Sequence, residues 1–247
     1  MIPLSKGKIL AGRMALVAGA SSGMGRATAL RFAEAGAVVA LVARRQSELE
    51  ALAREIESRG GQAFPLAADL TDAAATERAV AAAVETLGHV DVVVHTVGTN
   101  LKNRALTVLQ PSDWMMMLEV NLSSAYHVTR AILPHFRVRG DGLIVYVSSA
   151  AVQRPDLSGV AYQATKHGVV GLAHGTMQEE KSHGVRTTVI FPGLTDTPLV
   201  LQRPVPTPPE VLAKALQPED VAEACLFVAG LPSRAHVPEL MLLPSGL

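Results

Sequence analysis

Tyr162 and Lys166 lie four positions apart in a stretch, residues 160–182, that reads as helix, so both occupy one helix face. A phenol ordinarily titrates at about pH 10, too high for efficient proton transfer at neutrality. A neighbouring ammonium stabilises the phenolate and lowers that value. The pair is therefore chemically fit to act as a general acid/base. Upstream, Ser148 and Ser149 end the apolar run 143–147, on the sheet edge at which ligands bind in open α/β folds.

A second constellation points to a phosphate ligand. The apolar run 15–18 enters Gly19-Ala20-Ser21-Ser22-Gly23-Met24-Gly25, and a helix begins near Arg26. Glycines in such a turn let backbone N–H groups and the positive end of the helix approach a pyrophosphate. The preceding strand and following helix supply the context a glycine motif requires. The run 38–42 ends in Arg44 and Arg45, with no acid. An acid there would bond a ribose 2′-hydroxyl, whereas a guanidinium suits a 2′-phosphate. NADP(H) is thus the expected dinucleotide, with Ser22 able to add a hydroxyl bond.

Strands must present these groups, and short apolar runs recur at 15–18, 38–42, 62–66, 90–95, 143–147, 187–191 and 240–243. They show little polar alternation, as strands buried on both faces do. Amphipathic stretches separate them, with Gly36, Gly88 and Gly184 where helices should stop and a capping-box spacing at Ser47 and Glu50. This pattern predicts a doubly wound parallel α/β sheet with helices on both faces. The 247 residues are read as one domain, 1–247, with a substrate-side loop at 198–209 that holds five prolines.

Composition narrows the function classes. Lys+Arg and Asp+Glu are both 22, a net charge of zero without the basic excess of a nucleic-acid binder. The longest apolar run, residues 37–43, falls far short of the roughly 20 residues of a membrane helix. The amino terminus lacks a secretory pattern, and the single cysteine, Cys225, permits no internal disulfide. A cytoplasmic enzyme with a small-molecule substrate, no nucleic acid and no membrane is the expectation.

The chain resembles the short-chain dehydrogenase/reductase family over essentially its whole length. The matching elements are Gly19 to Gly25, Asp69, Asn121, Ser149, Tyr162-Gln163-Ala164-Thr165-Lys166 and Pro192-Gly193. The family's catalytic serine precedes its tyrosine by 13 residues, which selects Ser149 over Ser148. The resemblance implies that Tyr162 gives a proton to a carbonyl oxygen which Ser149 polarises. Lys166 would hold the nicotinamide ribose and lower the tyrosine pKa. Asn121, in a helix over 114–136, would bend that helix and hold a water in a proton relay. Asp69 and Leu70 would meet the adenine, with Gly98 beside the cofactor. Pro192, Gly193, Thr195 and Thr197 would lie along the nicotinamide. A homodimer or homotetramer is implied, built on the helices carrying Asn121 and Tyr162.

Three departures stand out. Ala18 replaces the family's threonine, His95-Thr96-Val97-Gly98 replaces Asn-Asn-Ala-Gly, and the carboxyl terminus lacks the closing Gly-Gly. His95 reads as a hydrogen-bonded structural substitute. His167 and His174 read as structural, and Met115, Met116 and Met117 as packing residues. The substrate wall is expected over 151–157 with Leu194, Leu199 and Val200. It is mostly apolar apart from Gln153, Arg154 and Asp156, which fits a medium-sized, partly hydrophobic ketone. The leading function is NADPH-dependent reduction of a ketone or aldehyde. The alternatives are 3-oxoacyl-thioester reduction, with Arg130, Arg137 and Arg139 greeting a carrier protein, and dinucleotide binding without turnover.

Overall fold

Aliphatic runs without polar alternation require cover on both faces, and the computed structural model, which describes residues 8–247, provides it. Seven parallel strands are ordered β3-β2-β1-β4-β5-β6-β7. They are β1 (Met14–Ala18), β2 (Val38–Ala43), β3 (Gln62–Ala67), β4 (Val92–His95), β5 (Gly142–Val147), β6 (Val185–Pro192) and β7 (Glu239–Leu242). The expected Rossmann-like α/β fold is therefore present. The amino-terminal segment read for a secretory pattern lies, over residues 1–7, outside the described residues. Among the described residues no helix is long and apolar enough to cross a membrane.

Helices α1 (Gly23–Glu34), α2 (Gln46–Ser58) and α8 (Pro218–Ala229) cover one face, where Phe32, Leu49, Ile56 and Val221 meet Val39, Leu41 and Val145. Cys225 is buried in this layer, as expected, and burial pushes its thiol up to about 12. On the other face α3 (Ala73–Leu87), α5 (Ser124–Arg139) and α6 (Val160–Glu180) bring Val80, Ile132, Phe136 and Val169 onto Leu16, Val93 and Ile144. The short α4 (Pro111–Leu118) leads into α5, and α7 (Pro209–Leu212) closes the proline-rich segment. Met117 is fully buried, whereas Met115 is half exposed.

Several boundaries differ from the sequence expectation for identifiable reasons. The run 90–95 pairs only from Val92, because Val90 donates to His135 Nε2 (3.0 Å) and Asp91 to the Met14 carbonyl (2.8 Å). The Asp91 carboxylate also accepts from Met14 N (2.8 Å) and Arg139 (3.0 Å). Ser47 and Glu50 form no capping box: Arg45 is the cap residue, and Gln46 instead donates to Glu50 (2.7 Å). The box occurs at Gln217 and Asp220, opening α8. The expected helix over 114–136 is longer and broken, with a π turn at Glu119–Ser123 between α4 and α5.

Glycine is required where β5 begins. A Cβ on Gly142 would enter the ring of Phe136, a fully buried side chain with no room to retreat. We expect Gly142→Ala to lower unfolding stability by about 1–3 kcal/mol, as overpacked cores do. Urea denaturation monitored by circular dichroism measures it.

Candidate active site

The loop after β1 is shaped by steric limits. Gly19 (φ +90°) and Gly23 (φ +52°) adopt backbone that side chains rarely reach. A Cβ on Gly25 would strike the Gly19 carbonyl and lie 2.5 Å from Thr96 Oγ1. The start of α1 therefore rests directly on the turn. Ser22, its cap residue, makes no side-chain cap bond, so the first-turn N–H groups face outward as an anion cradle. Thr96 was not singled out by sequence. Its hydroxyl donates to the Ala18 carbonyl (2.8 Å), tying β1 to the loop after β4 despite the alanine at position 18.

A cleft of about 420 Å³ extends from this cradle. Gly19, Ser21, Ser22, Gly23, Met24, Gly25, Arg44, Arg45, Asp69, Leu70, Gly98, Tyr162, Lys166 and Thr197 line it. Arg45 Nη2 donates to Ser21 Oγ (3.1 Å), placing one guanidinium beside the glycine loop, while Arg44 is exposed. Asp69 Oδ1 accepts from Thr71 N (3.0 Å) and Oγ1 (2.8 Å), and the Thr71 amide holds its carboxyl below the usual range. An anion cradle and free guanidinium N–H groups along one cleft suit the phosphates of a dinucleotide, and the Asp69 carboxylate can accept from its N–H or O–H donors.

A second cavity of about 640 Å³ adjoins the first, and Tyr162, Ser148, Met24, Thr197 and Leu199 line both. Ser149, Arg154, Pro192, Gly193, Leu194 and Thr195 line the second alone, and Lys166 the first alone. Gln153 stands outside both, donating to Glu239 Oε2 (3.3 Å) near the edge strand, so its expected place in the substrate wall is corrected. Arg104, Arg203 and Asn100 also line this second cavity, although no sequence motif marks them. Arg104 and Asn100 sit in the loop after β4. Their signal was position alone, since ligands bind at the carboxyl ends of parallel strands.

The two serines divide their tasks. Ser148 Oγ is buried and donates to the Lys166 carbonyl (3.0 Å), fastening β5 to α6. Ser149 Oγ accepts from Ala151 N (3.2 Å), and its closeness to Tyr162 acts to lower the phenol pKa. Burial acts more strongly and raises that pKa, with Asp156 adding to the rise and Arg104 opposing it. Lys166, expected from sequence to lower it, is not among these causes. Its Nζ donates to the Val147 carbonyl (3.0 Å), stands 5.8 Å from the phenol ring centroid, and is pushed by burial to about 8.

Asn121 is fully buried within the π turn, where Ser124 N bonds Glu119 O. Its amide accepts from Thr99 N (2.7 Å) and donates to Thr99 O (3.1 Å) and Thr165 Oγ1 (3.2 Å). The expected local bend is thus a π turn that ties the loop after β4 to α6. His95 is buried with Nε2 3.1 Å from Ser124 Oγ, and burial, with the Lys166 charge, lowers its pKa to about 3. It is a neutral packing residue. His167 is exposed and His174 pairs with Glu239 (3.1 Å). No cluster of metal-ligating side chains occurs among the described residues.

Fold, site and likeness to known proteins together support an NAD(P)(H)-dependent oxidoreductase acting on carbonyl or alcohol groups. The chain belongs to the short chain dehydrogenase family, whose model matches residues 13–204. It is 34% identical to a serine 3-dehydrogenase of Agrobacterium fabrum, covering 93% of this chain and 92% of that one. A metagenomic short-chain oxidoreductase solved with NADP is 30% identical, with TM-score 0.83 over 96% of this chain and 99% of that chain. A 3-ketoacyl-(acyl-carrier-protein) reductase of Brucella melitensis solved with NADH is 31% identical, with TM-score 0.86 over 94% and 97%.

The neutral His95 has a consequence for acid stability. Its pKa is near 3 when folded and about 6.5 when unfolded. Between those values the unfolded chain takes up a proton that the native state refuses. Stability should therefore fall as pH drops below about 6.5, by on the order of 1 kcal/mol per pH unit from this group. Urea midpoints between pH 7 and 5 should decline more steeply for the wild type than for His95→Asn.

Proposed function

We propose that the protein is an NADPH-dependent reductase of ketones or aldehydes, running in reverse with NADP. The observation that carries this reading is the position of Tyr162 on the boundary of the two cavities, with Ser149 on one side and Lys166 on the other. When bound, the dinucleotide supplies or accepts the hydride. Tyr162 gives its phenolic proton to the substrate oxygen in reduction and takes it back in oxidation. Ser149 donates a hydrogen bond to that oxygen, stabilising the charge that develops on it. Lys166 holds the nicotinamide ribose, its buried ammonium standing 5.8 Å from the phenol ring centroid. Asn121 anchors the π turn and completes the path by which a proton returns to Tyr162.

The cofactor preference rests on Arg44 and Arg45 at the end of β2, where no carboxylate stands to bond a 2′-hydroxyl. Asp69 and Leu70 hold the adenine, and Pro192, Gly193, Thr195 and Thr197 the nicotinamide end. Exposed Tyr126 and Val138 on α5 support assembly as a homodimer or homotetramer. Thioester reduction on a carrier protein is a second reading, favoured by the likeness to the Brucella melitensis reductase. Its docking cluster is weakened, because Arg137 pairs with Glu180 (2.7 Å) and Arg139 with Asp91 (3.0 Å).

Nicotinamide oxidation across a panel of ketones, aldehydes and 3-oxo esters, with NADPH and NADH in parallel, tests the reading. Tyr162→Phe should lower kcat by about 10²–10⁴-fold, the usual share of a general acid. Near-normal turnover would refute the mechanism. Replacing Arg44 and Arg45 together by alanine should raise the KM for NADPH about tenfold or more while that for NADH moves far less, since charge-assisted bonds to one phosphate are lost. Equal change for both cofactors would refute the preference.

A further inference from the structure

The substrate cavity carries a charge that the reduction of a simple ketone leaves unused. Arg104, Arg154 and Arg203 line it, against the single carboxylate of Asp156. None of the three forms an ion pair among the described residues. Asp156 Oδ1 accepts from Ser158 N (2.8 Å), and its charge favours the Arg104 guanidinium without a contact pair, so three arginines against one carboxylate leave the cavity positive.

Arg104 is built into place. It is only 9% exposed, and its stem lies over Gly159, whose φ of +96° and missing side chain make the room. A Cβ there would sit 2.8 Å from Arg104 Cβ. Nη1 donates to Ser158 O (3.4 Å) and Nη2 to Gln202 O (2.6 Å), bridging the segment before α6 to the proline-rich loop. These bonds take one hydrogen from each terminal nitrogen. The Nε–H is buried and has no partner. Few buried donors go unpaired in folded proteins, because an unpaired one forfeits its hydration. Arg104 lines the cavity with hydrogens on its terminal nitrogens still uncommitted, and a guanidinium's preferred anionic partner is a carboxylate.

We infer that the carbonyl substrate carries a carboxylate, received by Arg104 and drawn in by Arg203 and Arg154. This rests on the proposed reductase reading and narrows it from a partly hydrophobic ketone to an oxo acid. Arg203, whose Nη1 donates to Thr207 Oγ1 (3.1 Å), adds charge from the proline-rich loop, and exposed Arg154 stands at the mouth. Leu157, Leu199 and Val205 supply apolar wall for the carbon chain between carboxylate and carbonyl. Arg104 and Tyr162 both line this cavity, so the anion site and the proton donor share it.

The test compares 4-oxopentanoate and 5-oxohexanoate with their methyl esters, using NADPH and the full-length protein. The wild type should favour the acids by about tenfold or more in kcat/KM, as a charge-assisted pair implies. Arg104→Gln should reduce that acid-to-ester ratio at least severalfold. Arg154→Gln, which disturbs no loop contact, should reduce it less. A ratio of one or below in the wild type overturns the inference, as does a ratio unchanged in Arg104→Gln. If neither acids nor esters are turned over, the reductase reading fails on these substrates and the anion site is judged by binding. Hexanoate, but not hexanamide, should then raise the Tm of the wild type and not that of Arg104→Gln. Equal shifts, or none, overturn it.

Discussion

A parallel sheet buried on both faces leaves the protein one place for polar chemistry. Each strand of the ladder runs the same way, so all seven carboxyl ends gather on one edge. Helices close the two faces with aliphatic and aromatic side chains. Groups that meet a polar ligand project from the loops at that edge and from the helices beside it, as Tyr162 and Lys166 do from α6. The strand order reverses between β1 and β4, and the loops after these strands therefore diverge to open a crevice. The glycine loop follows β1, and Thr96 to Arg104 follow β4. Both cavities lie along this edge.

Close backbone approach then sets what the crevice can hold. Gly25 rests on the Gly19 carbonyl, and the Thr96 hydroxyl fills the remaining space while bonding the Ala18 carbonyl. One hydroxyl from the loop just after β4 thus ties that loop to the end of β1. The same economy appears in the π turn. The extra residue in that turn carries Asn121 inward, where its amide is bonded to Thr99 and Thr165 at once. The loop after β4 and the helix bearing Tyr162 are held to each other through this one side chain.

Burial governs the titrating groups more than pairwise charge does. Tyr162 rises, while Lys166 and His95 fall, each chiefly because the charged form is removed from water. Ser149 and Arg104 act against that rise at the phenol, while Asp156 adds to it. Arg104 is unusual in this company. Nine-tenths buried, it is held by two backbone carbonyls and forms no ion pair among the described residues.

Much of this was legible in the residues alone. Unalternated aliphatic runs determined a sheet buried on both faces, because only a core without water accepts them. The glycine spacing determined a tight turn before α1, since backbone at positive φ excludes most side chains. The spacing of Tyr162 and Lys166 determined a shared helix face through the helical period. Tertiary structure alone decided the rest. The spacing at Ser47 and Glu50 has the form of a cap, yet the helix starts at Gln46 and leaves Ser47 inside its first turn. Gln153 looks like a pocket residue by position but turns to Glu239 on β7, a partner 86 positions away. Arg104 carries no motif, and its partners Ser158 and Gln202 are 54 and 98 positions distant. Local periodicity depends on neighbours in the chain and can be read from them. Which charge is buried, and against what, depends on contacts between distant segments that exist only once the sheet has brought them together.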